Sequence, residues 1–224
     1  MPTLFIAGTG TDVGKTYVTA SLIRALCGAG VAVEALKPVV SGFDPAAPAG
    51  SDPAVLLDAL GRQLSSEALA GISPWRYRAP LSPPLAAARE GASLPGAAVI
   101  DHCRARSAEA PDGTWLLVES AGGIMSPLDD ARTMLDLAAA LAAPVLLVAG
   151  SYLGTISHTL TAVAVIEAAG LTLAGLMVSE TEPDASTFAD TVAAIAGRAP
   201  QAPVIGLRRG QPMEPAMLEA LGLV

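Results

Sequence analysis

The chain has 224 residues, 52% of them hydrophobic, and a formal net charge of −8 at pH 7. This length can bury the core of one domain, whereas the excess of acidic residues disfavours a general nucleic-acid surface, because the field of the whole molecule would oppose phosphate binding. The two cysteines are too few for a disulfide framework, and no signal peptide or membrane span is apparent near the start, so we expect a single cytoplasmic domain without membrane partners.

Apolar runs of strand length alternate along the chain with longer stretches rich in alanine and leucine. The runs are hydrophobic at nearly every position, which is typical of strands in a sheet covered on both faces. Six strands are predicted, at residues 3–8, 31–39, 114–123, 144–151, 171–180 and 202–207. Seven helices are predicted, at residues 16–29, 52–60, 95–109, 130–142, 157–169, 184–197 and 212–221. The alternation predicts βαβ units and therefore an α/β fold with a mostly parallel sheet and helices on both faces.

The interval 40–95 has a different composition. It is rich in proline, glycine, serine and alanine, as in "SGFDPAAPAGSDP" and "ISPWRYRAPLSPP". These residues predict loops and a short helix pair rather than strands of the sheet core. Long connections on a rigid scaffold commonly carry binding sites, so we expect part of a site here.

A glycine-rich segment, "AGTGTDVGKT" at residues 7–16, joins the first predicted strand to the first predicted helix. Its glycines allow successive backbone N–H groups to point at phosphate oxygens, and the helix start adds partial positive charge. Lys15 would reach the β and γ phosphates, and Thr16 would offer a hydroxyl to Mg²⁺. The first and last glycines are one residue further apart than in G-x-x-x-x-G-K-[ST]. A plain glycine-rich turn is the alternative, but the context of strand, loop and helix favours a P-loop NTPase-like domain spanning residues 1–224.

Three charged residues lie near predicted strand ends or at a helix start. Glu119 closes the apolar run "WLLVE", so its carboxylate would face the same crevice as the P-loop and could hold a metal ion. Lys37, just before Pro38, would point into that crevice from another strand end, although a surface lysine is the simpler interpretation of this residue alone. Asp52 by itself is most simply a helix N-cap.

Together these segments resemble the dethiobiotin synthetase family. The matching motifs occur in order along the whole chain and are far more specific than a P-loop alone. They are "GTGTDVGKT" (8–16), "KPVVSG" (37–42), "SD" (51–52), "APLSPPLAAAREG" (79–91), "VESAGG" (118–123), "LGTISH" (153–158) and "GLTLAGLMVSE" (170–180). The family has the same longer spacing in its P-loop, so the departure from the general template supports the resemblance.

The resemblance implies an ATP- and Mg²⁺-dependent cyclo-ligase of biotin biosynthesis that works as a homodimer. Its substrates would be 7,8-diaminononanoate, CO₂ and ATP. An amine and CO₂ would form a carbamate, ATP would phosphorylate it to a carbamic-phosphoric anhydride, and the second amine would expel phosphate to give dethiobiotin, a cyclic urea. Positioning and charge stabilisation dominate such transfers, so no nucleophilic side chain is expected.

The resemblance also implies roles for the residues that occupy its motifs. The catalytic residues would be Lys37, Lys15 and Thr11, and the metal ligands would be Thr16, Asp52 and Glu119. The nucleotide-binding residues would be Asp12, Val13, Gly14, Lys15, Thr16, Tyr17, Asp52, Glu119, Ser120, Ala121, Gly122, Ser179, Glu180, Leu207 and Arg208. The substrate-binding residues would be Thr11, Lys37, Ser41, Gly122, Leu153, Gly154, Thr155 and Ser157. The last four of these match a helix start that holds the substrate carboxylate across the family's dimer interface.

Some positions depart from the family pattern. Ser157 stands where the family commonly has Asn, and Arg208 stands where it has Pro. Ser179 and Glu180 stand where it often has Asn-Asp. A serine hydroxyl cannot present to adenine the donor and acceptor pair of an amide. Ser179 therefore predicts a relaxed preference among nucleoside triphosphates.

Three other functions remain open. A nucleotide-switch ATPase of the partitioning or division-site type would share the P-loop, but it should carry a second lysine in that loop and a basic or amphipathic partner surface, and neither is found. A related amidotransferase-type ligase would need a glutamine-hydrolysing domain, for which 224 residues are too few. A small-molecule kinase would explain the P-loop but not "KPVVSG" and "LGTISH" together.

Overall fold

The computed structural model describes residues 2–109, 111–181, 185–199 and 201–224. Within these ranges the chain forms eight strands and nine α-helices. The strands are β1 (Thr3–Gly8), β2 (Val33–Leu36), β3 (Val39–Ser41), β4 (Trp75–Tyr77), β5 (Trp115–Glu119), β6 (Val145–Ala149), β7 (Leu173–Ser179) and β8 (Val204–Leu207). The helices are α1 (Lys15–Gly28), α2 (Asp52–Ala59), α3 (Ser66–Ile72), α4 (Pro83–Arg89), α5 (Gly96–Glu109), α6 (Met134–Leu141), α7 (Thr155–Ala168), α8 (Ala185–Ala196) and α9 (Pro215–Ala220). A short 3₁₀ helix, Pro48–Gly50, precedes α2.

Six of these strands form one sheet in the order β2-β5-β1-β6-β7-β8. All of its strand pairs are parallel. The predicted α/β fold with a mostly parallel sheet is therefore confirmed. Because the carboxyl ends of parallel strands share one edge, the loops that follow β1, β2, β5 and β6 converge there.

Strand β1 shows why the sheet needs helices on both faces. All of its residues are buried, and successive side chains alternate between two hydrophobic clusters. Phe5 and Ala7 belong to one cluster, which also contains side chains of α5, α6 and α7. Leu4 and Ile6 belong to the other, which contains side chains of α1, α2, α3 and α9. A run that is apolar at every position can be buried only in this way.

The predicted strand 31–39 is wrong as a single element. The structure divides it into β2 and β3, and β3 leaves the main sheet to pair in parallel with β4. Pro38, which has no N–H to donate, lies at the break. The Lys37 N–H donates to the carbonyl oxygen of Ile72 at 3.0 Å. The interval 40–95 thus contains a small sheet that the prediction omitted, together with the short helices α2, α3 and α4.

The predicted helices lie within a few residues of the observed ones. Helix α6 departs most, because it begins at Met134 rather than at residue 130. The carboxylate of Asp129 accepts the backbone N–H of Ala131 at 2.9 Å, and this turn delays the helix. Helix α8 ends at Ala196, one residue before the end of the prediction 184–197, and residue 184 lies outside the described residues. In the described part of the chain, no helix has the length and apolar character needed to cross a membrane.

Candidate active site

The P-loop between β1 and α1 is shaped by two residues with left-handed backbone conformation. Asp12 has a φ of 57°, and Gly14, which precedes α1, has a φ of 94°. A Cβ atom on Gly14 would also collide with the side chain of Ser179, so only glycine fits this position. No side chain among the described residues caps α1. Its first N–H groups are therefore available to an anion at this point.

The P-loop borders a cavity of about 400 Å³. Many of the predicted residues line it, namely Thr11, Asp12, Gly14, Lys15, Thr16, Tyr17, Lys37, Ser41, Asp52, Ala121 and Gly122. The rest of the lining is Val39, Val40 and Arg209, which the sequence did not identify. Five other predicted nucleotide-binding residues are buried outside this lining, namely Val13, Glu119, Ser120, Ser179 and Leu207. The lining segments meet because the sheet brings the ends of β1, β2 and β5 to one edge.

Lys37, which lines this cavity, joins two carboxylates. Its ammonium group donates to Oε1 of Glu119 at 2.6 Å and lies 2.9 Å from Oδ2 of Asp52. The hydroxyl of Thr16 donates to the same Glu119 oxygen at 2.7 Å. Strands β2 and β5 are adjacent, and Leu36 pairs with Val118, so the next residues along them, Lys37 and Glu119, lie side by side. Residues far apart in sequence are thus brought into one polar cluster.

Burial and charge set the protonation of this cluster. Burial, and then the charge of Lys37, lowers the pKa of Lys15 to about 8, while its ammonium group donates to the carbonyl oxygen of Gly10 at 2.9 Å. Burial alone would lower the pKa of Lys37, but the charges of Glu119 and Asp52 outweigh it and raise that pKa above its ordinary value. Burial would raise the pKa of Asp52, but Lys37 holds it below its ordinary value. Lys37 therefore remains a cation at neutral pH.

Thr16, Asp52 and Glu119 fit the requirements of a Mg²⁺ ion. They offer a hydroxyl and two carboxylates, and Oε2 of Glu119 is buried with no hydrogen-bond partner among the described residues. The described ranges contain no group of three or more His, Cys, Asp or Glu side chains that could hold a metal ion. Because Mg²⁺ is commonly held by one or two carboxylates together with substrate phosphates, this oxygen set suits an ion that a nucleotide helps to bind.

The segments after β7 and β8 lie beside the P-loop. Ser179 is fully buried, and its hydroxyl has no hydrogen-bond partner in the described part of the chain. The carboxylate of Glu180 accepts from Nη1 of Arg208 at 2.9 Å and from the backbone N–H of Arg209 at 3.0 Å. The hydroxyl of Tyr17 donates to the carbonyl oxygen of Arg208 at 2.9 Å. Glu180 and Arg208 thus hold the loop after β8 in place, whereas the buried hydroxyl of Ser179 makes no such contact with the described residues.

The predicted carboxylate-binding segment lies at the start of α7, outside the lining of the P-loop cavity. Gly154 precedes the helix with a φ of 96°, and within the described ranges no side chain caps this helix. The hydroxyl of Thr155 donates to the carbonyl oxygen of Gly150 at 2.8 Å, so this side chain stabilises the loop that precedes α7. Leu153 is fully exposed, and Ser157 is exposed as well. What this segment offers to a carboxylate is therefore mainly backbone N–H groups.

A second cavity, of about 560 Å³, lies between the P-loop and α7. Thr11 lines both cavities, so the P-loop faces a different space on each side. Tyr152 and His158 line the second cavity, and the Tyr152 hydroxyl lies 2.9 Å from Nδ1 of His158. The exposed side chain of Met125 contributes to the same lining.

Arg209 is the charged lining residue that the sequence did not identify. The resemblance pointed to Arg208 as a nucleotide-binding residue, although that residue replaces a proline of the family pattern. The sequence pattern cannot tell which of the two arginines in "GLRRG" reaches the P-loop. That depends on where β8 ends and on how the loop after it contacts the P-loop. The only sequence signal that indicated a role for Arg209 was the pair of adjacent arginines in an otherwise acidic chain.

Known proteins resemble this chain in fold and in sequence. A family model described as an AAA domain matches residues 2–207. The chain is similar to the structure of chloroplast FtsY from Physcomitrella patens, with a TM-score of 0.57 and 19% identity, over 98% of this chain and 65% of that one. It is also similar to the signal recognition particle receptor FtsY from Elizabethkingia anophelis, with a TM-score of 0.54 and 15% identity, over 98% of this chain and 65% of that one. At these identities the likeness concerns the fold alone.

Sequence relatives are much closer. The chain is 53% identical over 211 residues to the ATP-dependent dethiobiotin synthetase BioD of Caulobacter sp. (strain K31), covering 94% of this chain and 90% of that one. It is 48% identical over 214 residues to the ATP-dependent dethiobiotin synthetase BioD of Methylobacterium nodulans, covering 94% of each chain. With this identity over nearly its whole length, and with a P-loop beside a buried cluster of lysines and carboxylates, the chain belongs to the ATP-dependent dethiobiotin synthetase family.

Proposed function

We propose that this enzyme uses ATP and Mg²⁺ to close the cyclic urea of dethiobiotin from 7,8-diaminononanoate and CO₂. The observation that carries the proposal is the position of Lys37, whose ammonium group joins Glu119 and Asp52 in the cavity beside the P-loop. A cation at this point can contact both a phosphoryl group delivered by the P-loop and a second anion next to it. A carbamate formed from the diamine is such an anion.

The reaction has three steps. One amine adds to CO₂ and loses a proton, which gives a carbamate. A carbamate oxygen attacks the γ-phosphorus of ATP and ADP leaves, which gives a carbamic-phosphoric anhydride. The second amine attacks the carbonyl carbon, loses a proton and expels inorganic phosphate. Anionic groups must therefore be gathered in one place, and the chain's own contribution is to position them and to offset their charge.

In this proposal the two lysines act on different anions. Lys15 neutralises the β and γ phosphates, and the arrival of these charges raises its lowered pKa again. An ammonium group has three donors, and Lys37 directs two of them to Glu119 and Asp52, which leaves one for the carbamate or the transferring phosphoryl group. Thr11 and Ser41, which line the same cavity, would orient the carbamate and the diamine by hydrogen bonds.

Thr16, Asp52 and Glu119 would hold Mg²⁺ together with the nucleotide. The spare buried oxygen of Glu119 and the oxygen-only character of the set support this assignment. The ion, when bound, would offset charge on the β and γ phosphates. Since Asp52 and Glu119 also bind Lys37, the same carboxylates would position both cations.

We further propose that the carboxylate of the diamine binds at the start of α7 in a homodimer. The uncapped helix start at Gly154 supports an anion site. Two exposed apolar side chains, Met125 and Leu153, support a contact surface at this edge of the sheet. The adjoining cavity, which Thr11 shares with the nucleotide side, would receive the chain of the diamine.

Nucleotide turnover tests the proposal. ATP consumption in the presence of Mg²⁺ should require both 7,8-diaminononanoate and bicarbonate, because the phosphoryl acceptor forms only from the two together. Slow hydrolysis that is indifferent to both compounds is the behaviour of a nucleotide switch and would overturn the proposal. The same assay with GTP and CTP at limiting concentrations tests the relaxed preference expected from Ser179, and a strong preference for ATP would show that expectation to be wrong.

A further inference from the structure

Arg209 brings a cation to the P-loop from the loop after β8. Its guanidinium carbon lies 4.4 Å from the centroid of the Tyr17 ring. Its Nη2 atom lies 3.2 Å from the position that a Cβ on Gly14 would occupy. The side chain lines the same cavity as Lys15 and Lys37. It therefore reaches the start of α1, where the nucleotide phosphates are expected.

Hydrogen bonds from the backbone and from Nε fix the Arg209 side chain, whereas its two Nη atoms stay available. The backbone N–H of Arg209 donates to Oε2 of Glu180 at 3.0 Å, and its Nε donates to the carbonyl oxygen of Glu180 at 2.9 Å. Tyr17 is fixed in turn, because its hydroxyl accepts the backbone N–H of Gly210 at 3.0 Å. Neither Nη atom of Arg209 makes a hydrogen bond or ion pair with the described residues. Its Nη donors are thus held in position without a partner among the described residues.

The charges of the cavity favour an anion as that partner. Lys37 is ion-paired with Asp52 and Glu119, so much of its charge is already offset. Arg209 makes no ion pair within the described part of the chain. A nucleoside triphosphate carries more negative charge than Lys15 alone can balance, and the acidic chain as a whole repels it.

The position along the P-loop indicates which phosphate Arg209 meets. The ammonium group of Lys15 lies against Gly10, inside the loop, and a P-loop lysine reaches the β and γ phosphates. Arg209 lies instead beside Gly14 and Tyr17, where the first turn of α1 cradles the α and β phosphates. The two cations therefore approach different parts of the phosphate chain.

We propose that Arg209 binds the nucleotide at its α-phosphate through its Nη donors. This inference rests on the proposed nucleotide-dependent function and adds a contact that the P-loop itself does not supply. A planar guanidinium group presents parallel N–H donors that match two oxygens of one phosphate, which a lysine cannot do. The Tyr17 ring and Glu180 hold the group in place before the nucleotide arrives.

The variant Arg209→Gln tests the contact, because it removes the charge from an exposed side chain and should leave the fold intact. Arg24→Gln is the control, since it makes the same change of charge at an exposed pair with Asp58 away from the cavity. Isothermal titration measures the dissociation constants of ATP and of inorganic tripolyphosphate at fixed ionic strength. Arg209→Gln should weaken both ligands by about tenfold, the effect of one lost charge-assisted hydrogen bond, and Arg24→Gln should change neither.

Two results would overturn the proposal. Unchanged binding of both ligands would show that Arg209 makes no contact, and a loss confined to ATP would place it on the ribose or base. A wild-type protein that does not bind ATP would refute the proposed function and this contact together. Wild-type binding of ATP without ligase turnover would refute the proposed reaction alone, and the comparison of variants would still decide the role of Arg209.

Discussion

Lys37 is a buried cation that the surrounding carboxylates keep charged. Its side chain is 5% exposed and that of Glu119 is 0% exposed. Burying such charges costs several kcal/mol for each ion unless they are paired, and here Glu119 and Asp52 supply the pairing. The contacts that hold Lys37 in place therefore also maintain its charge. A cation that is fixed before the reaction needs little reorganisation as charge develops on the substrates.

Replacing Lys37 with alanine should preserve ATP binding but lower kcat by about 10²–10³-fold, because in the proposed reaction the cation acts on the transferring group rather than on the bound nucleotide. The melting temperature should also fall, since Glu119 would keep a buried charge without its partner. Titration with ATP, steady-state turnover and thermal unfolding separate these effects. Lys15→Ala is the comparison, and it should weaken ATP binding as well as turnover. Full activity in Lys37→Ala would mean that another group is the catalytic cation.

The sequence predicted these residues unequally well. The P-loop residues could be predicted from local context, because strand, glycines, lysine and helix occur together. Lys37 could be assigned only through the resemblance, since by itself it looks like a surface lysine. Arg209 could not be assigned, because its role depends on a contact with Tyr17, which is far away in the sequence.

Among the elements, the break between β2 and β3 does most to build the site. The apolar pattern continues across Lys37 and Pro38, so periodicity alone predicts one strand. The break depends on a proline that cannot donate to a sheet and on a carbonyl oxygen of Ile72, contributed by α3. Because the chain turns at this point, Ser41 and the start of α2 can face the P-loop.

The start of α6 is fixed by Asp136. Its Oδ2 accepts the backbone N–H of Thr133 at 2.7 Å and the Thr133 hydroxyl at 2.8 Å. These hydrogen bonds, the backbone one first, lower the pKa of Asp136 below its ordinary value. A carboxyl group with a lowered pKa stabilises the fold above its unfolded pKa, near 4, and loses this contribution as the pH falls through the folded pKa.

Asp136→Ala should therefore lower the free energy of unfolding at pH 7 by about 0.5–1 kcal/mol, the low end for a helix cap because the side chain is exposed. The difference from the wild type should shrink as the pH falls into the acid range, where both proteins lack the carboxylate. Urea unfolding of both proteins at neutral and at acid pH measures this difference in the free energy of unfolding. A difference that is independent of pH would show that the carboxylate is not its source.

Across the whole molecule, the fold class could be predicted but the strand order could not. Continuous apolar runs alternating with helices specify a parallel sheet covered on both faces. They do not say which strands are neighbours, because the apolar pattern of a strand does not depend on which strand lies beside it. The order β2-β5-β1-β6-β7-β8 places β5 between β2 and β1, and this arrangement is what brings Glu119 between Lys37 and Thr16.

The proposed homodimer can be tested at Leu153, whose side chain is 100% exposed in the single subunit. If this side chain lies in the subunit contact, Leu153→Asp should shift the mass in sedimentation velocity from dimer towards monomer and raise the KM for the diamine. Leu64→Asp, at a residue that is 41% exposed and lies outside both cavities, should leave the dimer intact. A wild-type protein that sediments as a monomer would contradict the proposal.

In the proposed function, the cavity beside the P-loop joins CO₂ to a diamine at the expense of ATP. The most direct test is incubation of the enzyme with ATP, Mg²⁺, ¹³C-labelled bicarbonate and 7,8-diaminononanoate, followed by mass spectrometry of the products. We expect the label in the carbonyl carbon of a cyclic urea, formed in equal amount with ADP. ADP without a labelled urea, or a labelled urea formed without ATP, would contradict this account.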